Sequence, residues 1–264
     1  MKKISIILLM GVIVTASSCK KYLDINENPN QPTSATPELV LPQALTATAS
    51  NLNGYNSMGS QLVGYSANAG GYGGFGSSIT YNFGASDFAG RWSASYDNLE
   101  DYQYIIDQTN GDPQYFAFNA VGRIMKAHGF QLLVDTYNDV PYFEALKGVE
   151  YLTPKYDQGA IIYKDLANQL DTAITLLKNS DTVVGLHPLD ASDVMFAGDV
   201  DKWMQFANTL KLRIVIRGGS KVDFSTENKT FSDVGFLTDD ALINPGYVRD
   251  NNKQNPKWNT WGYG

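Results

Sequence analysis

The sequence predicts an all-α protein, built as an array of tetratricopeptide-like helical hairpins with long loops. Apolar side chains recur every three or four residues in four long stretches, which is the period of a helix with one buried face. Clusters of glycine and proline separate these stretches, and alternating strand-like sequence is scarce. No strict repeat of about 34 residues is visible, so the hairpins are expected to be diverged copies.

The elements follow from these stripes in chain order. A first helix is expected over Glu38–Asn51, interrupted early by Pro42, and the one strand-like segment is Ser78–Phe83. Trp92 and Trp203 lie on helix stripes and are interpreted as core residues. The four long helices are predicted from four sets of apolar positions: Trp92, Tyr96, Leu99, Tyr102 and Ile106; Phe118, Val121, Met125, His128 and Leu132; Tyr163, Leu166, Leu170, Ala173 and Leu177; and Trp203, Phe206, Leu210 and Ile214.

Composition excludes several classes of function. A net charge of −7 argues against a nucleic-acid-binding protein, which needs a basic face to neutralise phosphates. One cysteine allows no intrachain disulfide, no redox pair and no thiolate-rich zinc site, and two distant histidines argue against a histidine-built metal centre. We therefore expect no metal and no cofactor. A content of 12% aromatic residues in a chain of low charge favours a surface that binds sugars.

The amino terminus has the pattern of an exported lipoprotein. Two lysines precede an apolar run of about eleven residues, which is too short to cross a membrane that requires about 20. Small residues and the single cysteine, Cys19, follow this run and resemble a bacterial lipobox. We predict a signal peptide over residues 1–18, lipidation of Cys19 and a tether over residues 19–36. The alternative is an ordinary secretory peptide with an incidental cysteine.

Four segments stand in a characteristic order along the chain: Cys19–Asn30, Asp135–Leu146, Thr153–Asp157 running into Ile162–Leu166, and Gly198–Arg213. Together they resemble the SusD/RagB-type nutrient-binding outer-membrane lipoproteins of Bacteroidetes. The resemblance implies a surface-exposed, lipid-anchored helical protein of the outer membrane that captures glycans or other nutrients. It further implies partnership with a SusC-type TonB-dependent transporter and no catalytic activity. Members are about twice this length, so the helical domain over residues 37–264 is expected to be incomplete at its carboxyl end.

A glycine-rich stretch supplies the candidate ligand-binding residues. Gly71–Gly76 has the spacing of a dinucleotide-binding turn, but no strand precedes it and no helix pattern follows directly, so it is interpreted as a loop. Sugars present C–H faces that pack on aromatic rings, and tyrosine adds a polar tip. The candidate residues are Tyr72, Phe75 and Tyr81 for stacking, with Asn82 and Asp87 as partners for sugar hydroxyls. The alternative is that these rings fold back onto the core.

The sequence favours one of three functions. The preferred one is a non-enzymatic lipoprotein that binds a glycan or another nutrient for a partner transporter. The rival is a helical scaffold that docks on the channel and binds no ligand itself. A secreted glycosidase would need two carboxylates across a cleft, about 5–10 Å apart. Asp135 and Asp139 lie instead at a predicted helix end before a proline, where such residues form turns.

Overall fold

The computed structural model describes residues 34–67, 76–244, 246–250, 253–255 and 258. Within these ranges the chain forms helices joined by loops, with one small ribbon of two strands, which confirms the all-α prediction. The helices are α1 (Pro37–Leu62), α2 (Ser77–Thr80), α3 (Ala89–Gln108), α4 (Phe116–Tyr137), α5 (Gly159–Ser180) and α6 (Val200–Gly218). The strands β1 (Val140–Pro141) and β2 (Tyr156–Asp157) pair antiparallel, with Pro141 opposite Tyr156.

The five long helices pack in sequence order. Helix α1 lies against α3, α3 against α4, α4 against α5, and α5 against α6. Contacts between helices further apart in the chain are fewer, as in solenoid proteins, where each unit is stabilised mainly by its neighbours. The predicted array of helical hairpins is therefore confirmed. No described helix has both the length and the apolar character needed to span a membrane.

The predicted apolar stripes form the core. Leu99 on α3, Val121 on α4, Leu166 on α5 and Trp203 on α6 are each no more than 1% exposed. Trp92 is only half-buried and packs against the edge of this core. The interpretation of the two tryptophans as core residues thus holds fully for Trp203 and in part for Trp92.

Close approach of α3 and α4 depends on two glycines seven positions apart on α4. A Cβ atom on Gly129 would lie 2.8 Å from Cδ2 of Leu99, and one on Gly122 would lie 3.0 Å from Cγ1 of Ile106. Both distances are shorter than nearly all contacts that real Cβ atoms make in packed interiors. Glycine at these two positions therefore allows α3 and α4 to pack closely.

Two expectations for the amino-terminal part are wrong. Helix α1 continues through Pro42 and ends at Leu62, eleven residues beyond the predicted end. A proline inside a helix costs about 3 kcal/mol, but burying a leucine contributes about 2 kcal/mol. Leu41 and Leu45, on either side of the proline, are both fully buried, so their burial outweighs the break.

The expected strand over Ser78–Phe83 is instead the short helix α2 followed by a turn. The amides of Ile79 and Thr80 donate to the carbonyl oxygen of Gly76, at 3.0 and 3.1 Å, which closes a helical turn. An isolated alternating segment has no partner strand to satisfy its backbone groups, and a helical turn satisfies them locally. The alternating pattern was therefore misleading in this loop.

Candidate ligand-binding surface

Aromatic side chains gather where the loop after α2 enters α3 and where β2 lies beside that helix. We call this set the aromatic surface, and its members are Tyr81, Phe83, Phe88, Trp92 and Tyr156. Tyr81 is 63% exposed, Phe83 44% and Tyr156 67%. Exposed aromatic rings that lie together in this way are typical of surfaces that bind ligands or other molecules.

The rings contact one another in two groups. Tyr81 meets Phe83 edge to face with ring centroids 6.1 Å apart, and Phe83 lies 5.4 Å from Phe88. Tyr156 stacks on Trp92 with centroids 6.0 Å apart and ring planes at 27°. These are the separations at which aromatic pairs attract, so the rings support one another in the absence of a ligand.

Two tyrosines behind Trp92 hold it in position. Their ring centroids lie 5.0 Å (Tyr96) and 5.1 Å (Tyr137) from the Trp92 ring. The Tyr96 hydroxyl donates to the carbonyl oxygen of Pro141 at 2.7 Å, and the Tyr137 hydroxyl donates to that of Phe88 at 2.8 Å. Burial raises the pKa of Tyr137 to about 12, so this hydroxyl remains protonated at neutral pH. The Tyr137 bond also links the two groups of rings.

The loop that carries Tyr81 is fixed by short-range bonds. Oδ1 of Asp87 accepts from the hydroxyl of Ser77 at 2.8 Å, and Oδ2 accepts from the amide of Gly84 at 2.6 Å. The Gly84 amide and the Ser77 hydroxyl lower the pKa of Asp87, which therefore stays ionised at neutral pH. The Tyr81 hydroxyl donates to the carbonyl oxygen of Leu62, which ties the loop to the end of α1.

Backbone strain marks both ends of this loop. Tyr81 has a φ of 56° and Phe88 a φ of 64°, in the left-handed region that bulky residues rarely adopt. Strain of this kind costs about 1–3 kcal/mol and persists only where the surroundings over-determine it. The residues at both strained turns, Tyr81 and Phe88, contact the ring of Phe83.

Tyr156 is presented by the ribbon of β1 and β2. Oδ2 of Asp157 accepts from the amides of Tyr142 and Phe143, at 3.0 and 2.9 Å, which closes the loop between the strands. Lys155 forms an ion pair with Glu144 at 3.2 Å across the same loop. Tyr156 therefore extends from a restrained ribbon, although more than half of its side chain is exposed.

The predicted binding residues are placed as follows. Tyr81, Asn82 and Asp87 lie in one loop, with Asn82 exposed between the two strained turns. The carboxylate of Asp87 already accepts two bonds within the loop, so it holds the loop that carries part of the aromatic surface. Tyr72 and Phe75 lie outside the described residues, as does the predicted lipidation site, Cys19.

Sequence reasoning missed four members of the surface, of which Phe88 directly follows the candidate residue Asp87. Phe83 stands two positions from Tyr81 in a polar stretch, and that spacing could have indicated it. Trp92 fits a helix stripe, which predicts a core residue. Its ring is only half-buried and forms the rear of the aromatic surface. Tyr156 lies 64 positions after Trp92 in the sequence, and the pairing of β2 with β1 brings it to the surface. No local sequence pattern indicates this residue.

The arrangement suits a ligand with alternating apolar and polar faces. Exposed rings offer apolar area, while the Tyr156 hydroxyl and the Asn82 amide offer hydrogen bonds at its margin. In the part of the chain that the structure describes, no group of three or more histidine, cysteine, aspartate or glutamate side chains is placed to hold a metal ion.

The comparison with protein families gives one match over most of the chain. A SusD-like family, described as starch-binding and associating with the outer membrane, matches residues 29–255. A comparison with proteins of curated function gives no match.

Several solved structures share the fold. A SusD/RagB family protein from Bacteroides thetaiotaomicron has 24% identity and a TM-score of 0.60, over 74% of this chain and 41% of that one. A SusD homologue from Bacteroides fragilis has 20% identity and a TM-score of 0.58, over 86% and 47%. A SusD homologue from Bacteroides vulgatus has 23% identity and a TM-score of 0.53, over 62% and 34%. The chain spans less than half the length of each, and at these identities the likeness is one of fold.

Proposed function

The chain belongs to the SusD-like family, and from that premise we propose that it binds a glycan on the aromatic surface and delivers it to a SusC-type transporter. The observation that carries the proposal is the exposure of Tyr81, Phe83 and Tyr156 on supports that hold their rings in place. A rigid aromatic platform loses little entropy when a ligand stacks on it, which favours binding of flexible oligosaccharides. No catalytic step is part of the proposal.

Attachment to the membrane completes the proposal. The signal peptide over residues 1–18 is removed, Cys19 carries the lipid, and residues 19–36 connect it to the helical domain. Each buried CH₂ group of an acyl chain contributes about 0.8 kcal/mol, so two or more chains anchor a protein firmly at the outer membrane. Incorporation of radiolabelled palmitate by the wild-type chain and not by Cys19→Ser tests this part independently of ligand binding.

Affinity electrophoresis in gels that contain soluble starch tests glycan binding, with a panel of other polysaccharides in parallel. We expect at least one polysaccharide to retard the chain, and the triple variant Tyr81→Ala, Phe83→Ala and Tyr156→Ala to lose most of that retardation. Phe236→Ala is the matched control, because Phe236 is 42% exposed and lies beyond α6.

Two results would contradict the proposal. Equal retardation of the triple variant and the wild type would remove the aromatic surface from the site. No retardation by any polysaccharide, combined with co-purification with a SusC-type channel, would favour the scaffold function instead.

A further inference from the structure

A cavity lies between α3, α4, α5 and the loop that follows β1. Its volume is about 310 Å³, near the lower end of the range of about 300–1,000 Å³ for small-molecule sites. It shares no lining residue with the aromatic surface. Its size suits one small ligand or one terminal unit of a longer one.

Charged side chains line this cavity, with cations in excess. Arg123, Lys126 and Lys147 face Asp107 and Asp165 around it. The chain as a whole carries a net charge of −7, so a cavity with three cations and two carboxylates departs from the overall balance. A local excess of one sign of charge in a concave site attracts ligands of the opposite sign.

Both carboxylates already accept hydrogen bonds from neutral groups. Oδ2 of Asp165 accepts from the Tyr142 hydroxyl at 2.6 Å and from Nε2 of Gln169 at 3.3 Å. Oδ1 of Asp107 accepts from Nε2 of Gln103 at 2.7 Å. The acids are thus oriented by neutral donors and not by the cations near them.

The cations correspondingly have neutral partners. Nζ of Lys126 donates to Oε1 of Gln103, and Nε of Arg123 donates to Oδ1 of Asn119 at 2.8 Å, with a further bond from Nη1 to Gln169. Among the described residues, neither cation forms an ion pair. A guanidinium has five donors, so N–H groups of Arg123 remain for a ligand.

The environment of Lys126 leaves its charge poorly compensated. Its Nζ lies 5.8 Å from the ring centroid of Phe130 and 5.9 Å from that of Tyr142, contacts that attract a cation only weakly. Burial lowers the pKa of Lys126 to about 8, and the nearby charges of Asp107, Arg123, Asp165 and Lys147 modify it further. Lys126 is still mostly protonated at pH 7, and an anion beside it would raise this pKa.

We propose that the cavity binds an acidic sugar unit, whose carboxylate lies between Lys126 and Arg123. A guanidinium fork and an ammonium together match a planar carboxylate. Gln103, Gln169 and Asp165 are placed to bond the sugar hydroxyls, since each retains acceptor or donor capacity. The sugar part of this assignment rests on the proposed function, whereas the carboxylate part rests on the cavity alone.

Isothermal titration calorimetry of the full chain with three probes tests the assignment. Sodium glucuronate supplies the ring and the carboxylate, glucose supplies the ring, and sodium acetate supplies the carboxylate. Hydrogen bonds to charged groups contribute enough to change affinity about tenfold or more. We expect glucuronate to bind at least about tenfold more tightly than either glucose or acetate, and its affinity to fall as the pH rises through about 8.

Variants locate the binding. Lys126→Met should reduce glucuronate affinity at least about tenfold, Lys126→Arg should retain part of it, and Lys164→Met, which removes a charge outside the cavity, should leave it unchanged. Lys126→Met should leave unchanged the gel retardation by whichever polysaccharide retards the wild type, so failure of this proposal is distinguishable from failure of the aromatic surface. If Lys126→Met does not fold, the pH dependence of glucuronate affinity in the wild type tests the role of Lys126 instead.

Three results would overturn the proposal. They are glucuronate affinity that does not exceed that of glucose or acetate, no measurable glucuronate binding, and an affinity that is constant between pH 7 and 9.

Discussion

Two lysines inside the helix array have opposite surroundings. Lys211 on α6 is fully buried, and its Nζ donates to both carboxylate oxygens of Asp171 at 2.7 Å. It also donates to the carbonyl oxygens of Glu227 at 3.1 Å and Thr230 at 2.6 Å. This lysine joins α5, α6 and the loop after α6. Lys126, on the cavity side of α4, has a single hydrogen-bond acceptor among the described residues, a neutral amide oxygen.

The difference separates a structural charge from an available one. A cation that leaves water needs acceptors to compensate its lost hydration, and Lys211 has four of them. Lys126 lacks a carboxylate partner although two carboxylates line the same cavity. The first arrangement is complete without a ligand, and the second is completed by an anion.

Removal of the Lys211 charge should have the largest effect. Lys211→Met leaves the carboxylate of Asp171 and the carbonyl oxygens of Glu227 and Thr230 without their shared donor, and breaking a buried ion pair costs about 3–5 kcal/mol. Asp171 is 40% exposed and regains some hydration, so we expect the free energy of unfolding to fall by about 3 kcal/mol. Urea denaturation measures it, with Lys164→Met as the control. A decrease of less than about 1 kcal/mol in the free energy of unfolding would show that the Lys211 ion pair contributes little to stability.

A third buried basic side chain, His128 on α4, should produce a pH effect of intermediate size. Burial, and to a lesser extent the charge of Arg213, lowers the pKa of His128 to about 3, against about 6.5 in an unfolded chain. Between these values the unfolded chain binds a proton that the folded chain does not. Stability should therefore fall with decreasing pH, by up to about 1.4 kcal/mol per unit from this group.

The comparison with His128→Leu isolates that contribution. The variant should lose less stability than the wild type between pH 6.5 and pH 4.5, as measured by urea denaturation at each pH. Parallel curves for the two proteins would mean that His128 takes up its proton in the folded state as easily as in the unfolded one.

Removal of the Lys126 charge should have the smallest effect on stability. Lys126→Met gives up one hydrogen bond and two weak ring contacts, but it also removes the cost of holding an ammonium group away from water. We expect the free energy of unfolding to change by less than about 1 kcal/mol in the same urea assay. A loss close to that of Lys211→Met would erase the distinction between the two lysines.

Local sequence was enough to predict the long helices, but not every connection between them. The periodic stripes that include Leu99, Val121, Leu166 and Trp203 are buried as expected. Apolar residues spaced by three or four positions lie on one face of a helix, and that face packs against the core. The expected interruption of α1 at Pro42 was wrong because a tertiary contact, the burial of Leu41 and Leu45, outweighed the local effect of the proline.

The candidate surface was predictable only in part. The loop with Tyr81, Asn82 and Asp87 was found from its composition, since aromatic residues in a polar stretch favour ligand contact. Tyr156 joins it because β2 pairs with β1, and its ring then stacks on Trp92 of α3, which is far away in the chain. No pattern within a single segment reports such a pairing.

The sequence by itself determined the helical class, the order of the long helices and most of their breaks, because periodicity and turn residues act over a few positions. Only the tertiary structure decided which charges are paired. The acceptors of Lys211 lie 16 to 40 positions away, and Lys126 bonds Gln103 on another helix, 23 positions away. Such partners meet through the crossing and register of packed helices, which depend on the fit of whole faces and not on any short run of residues.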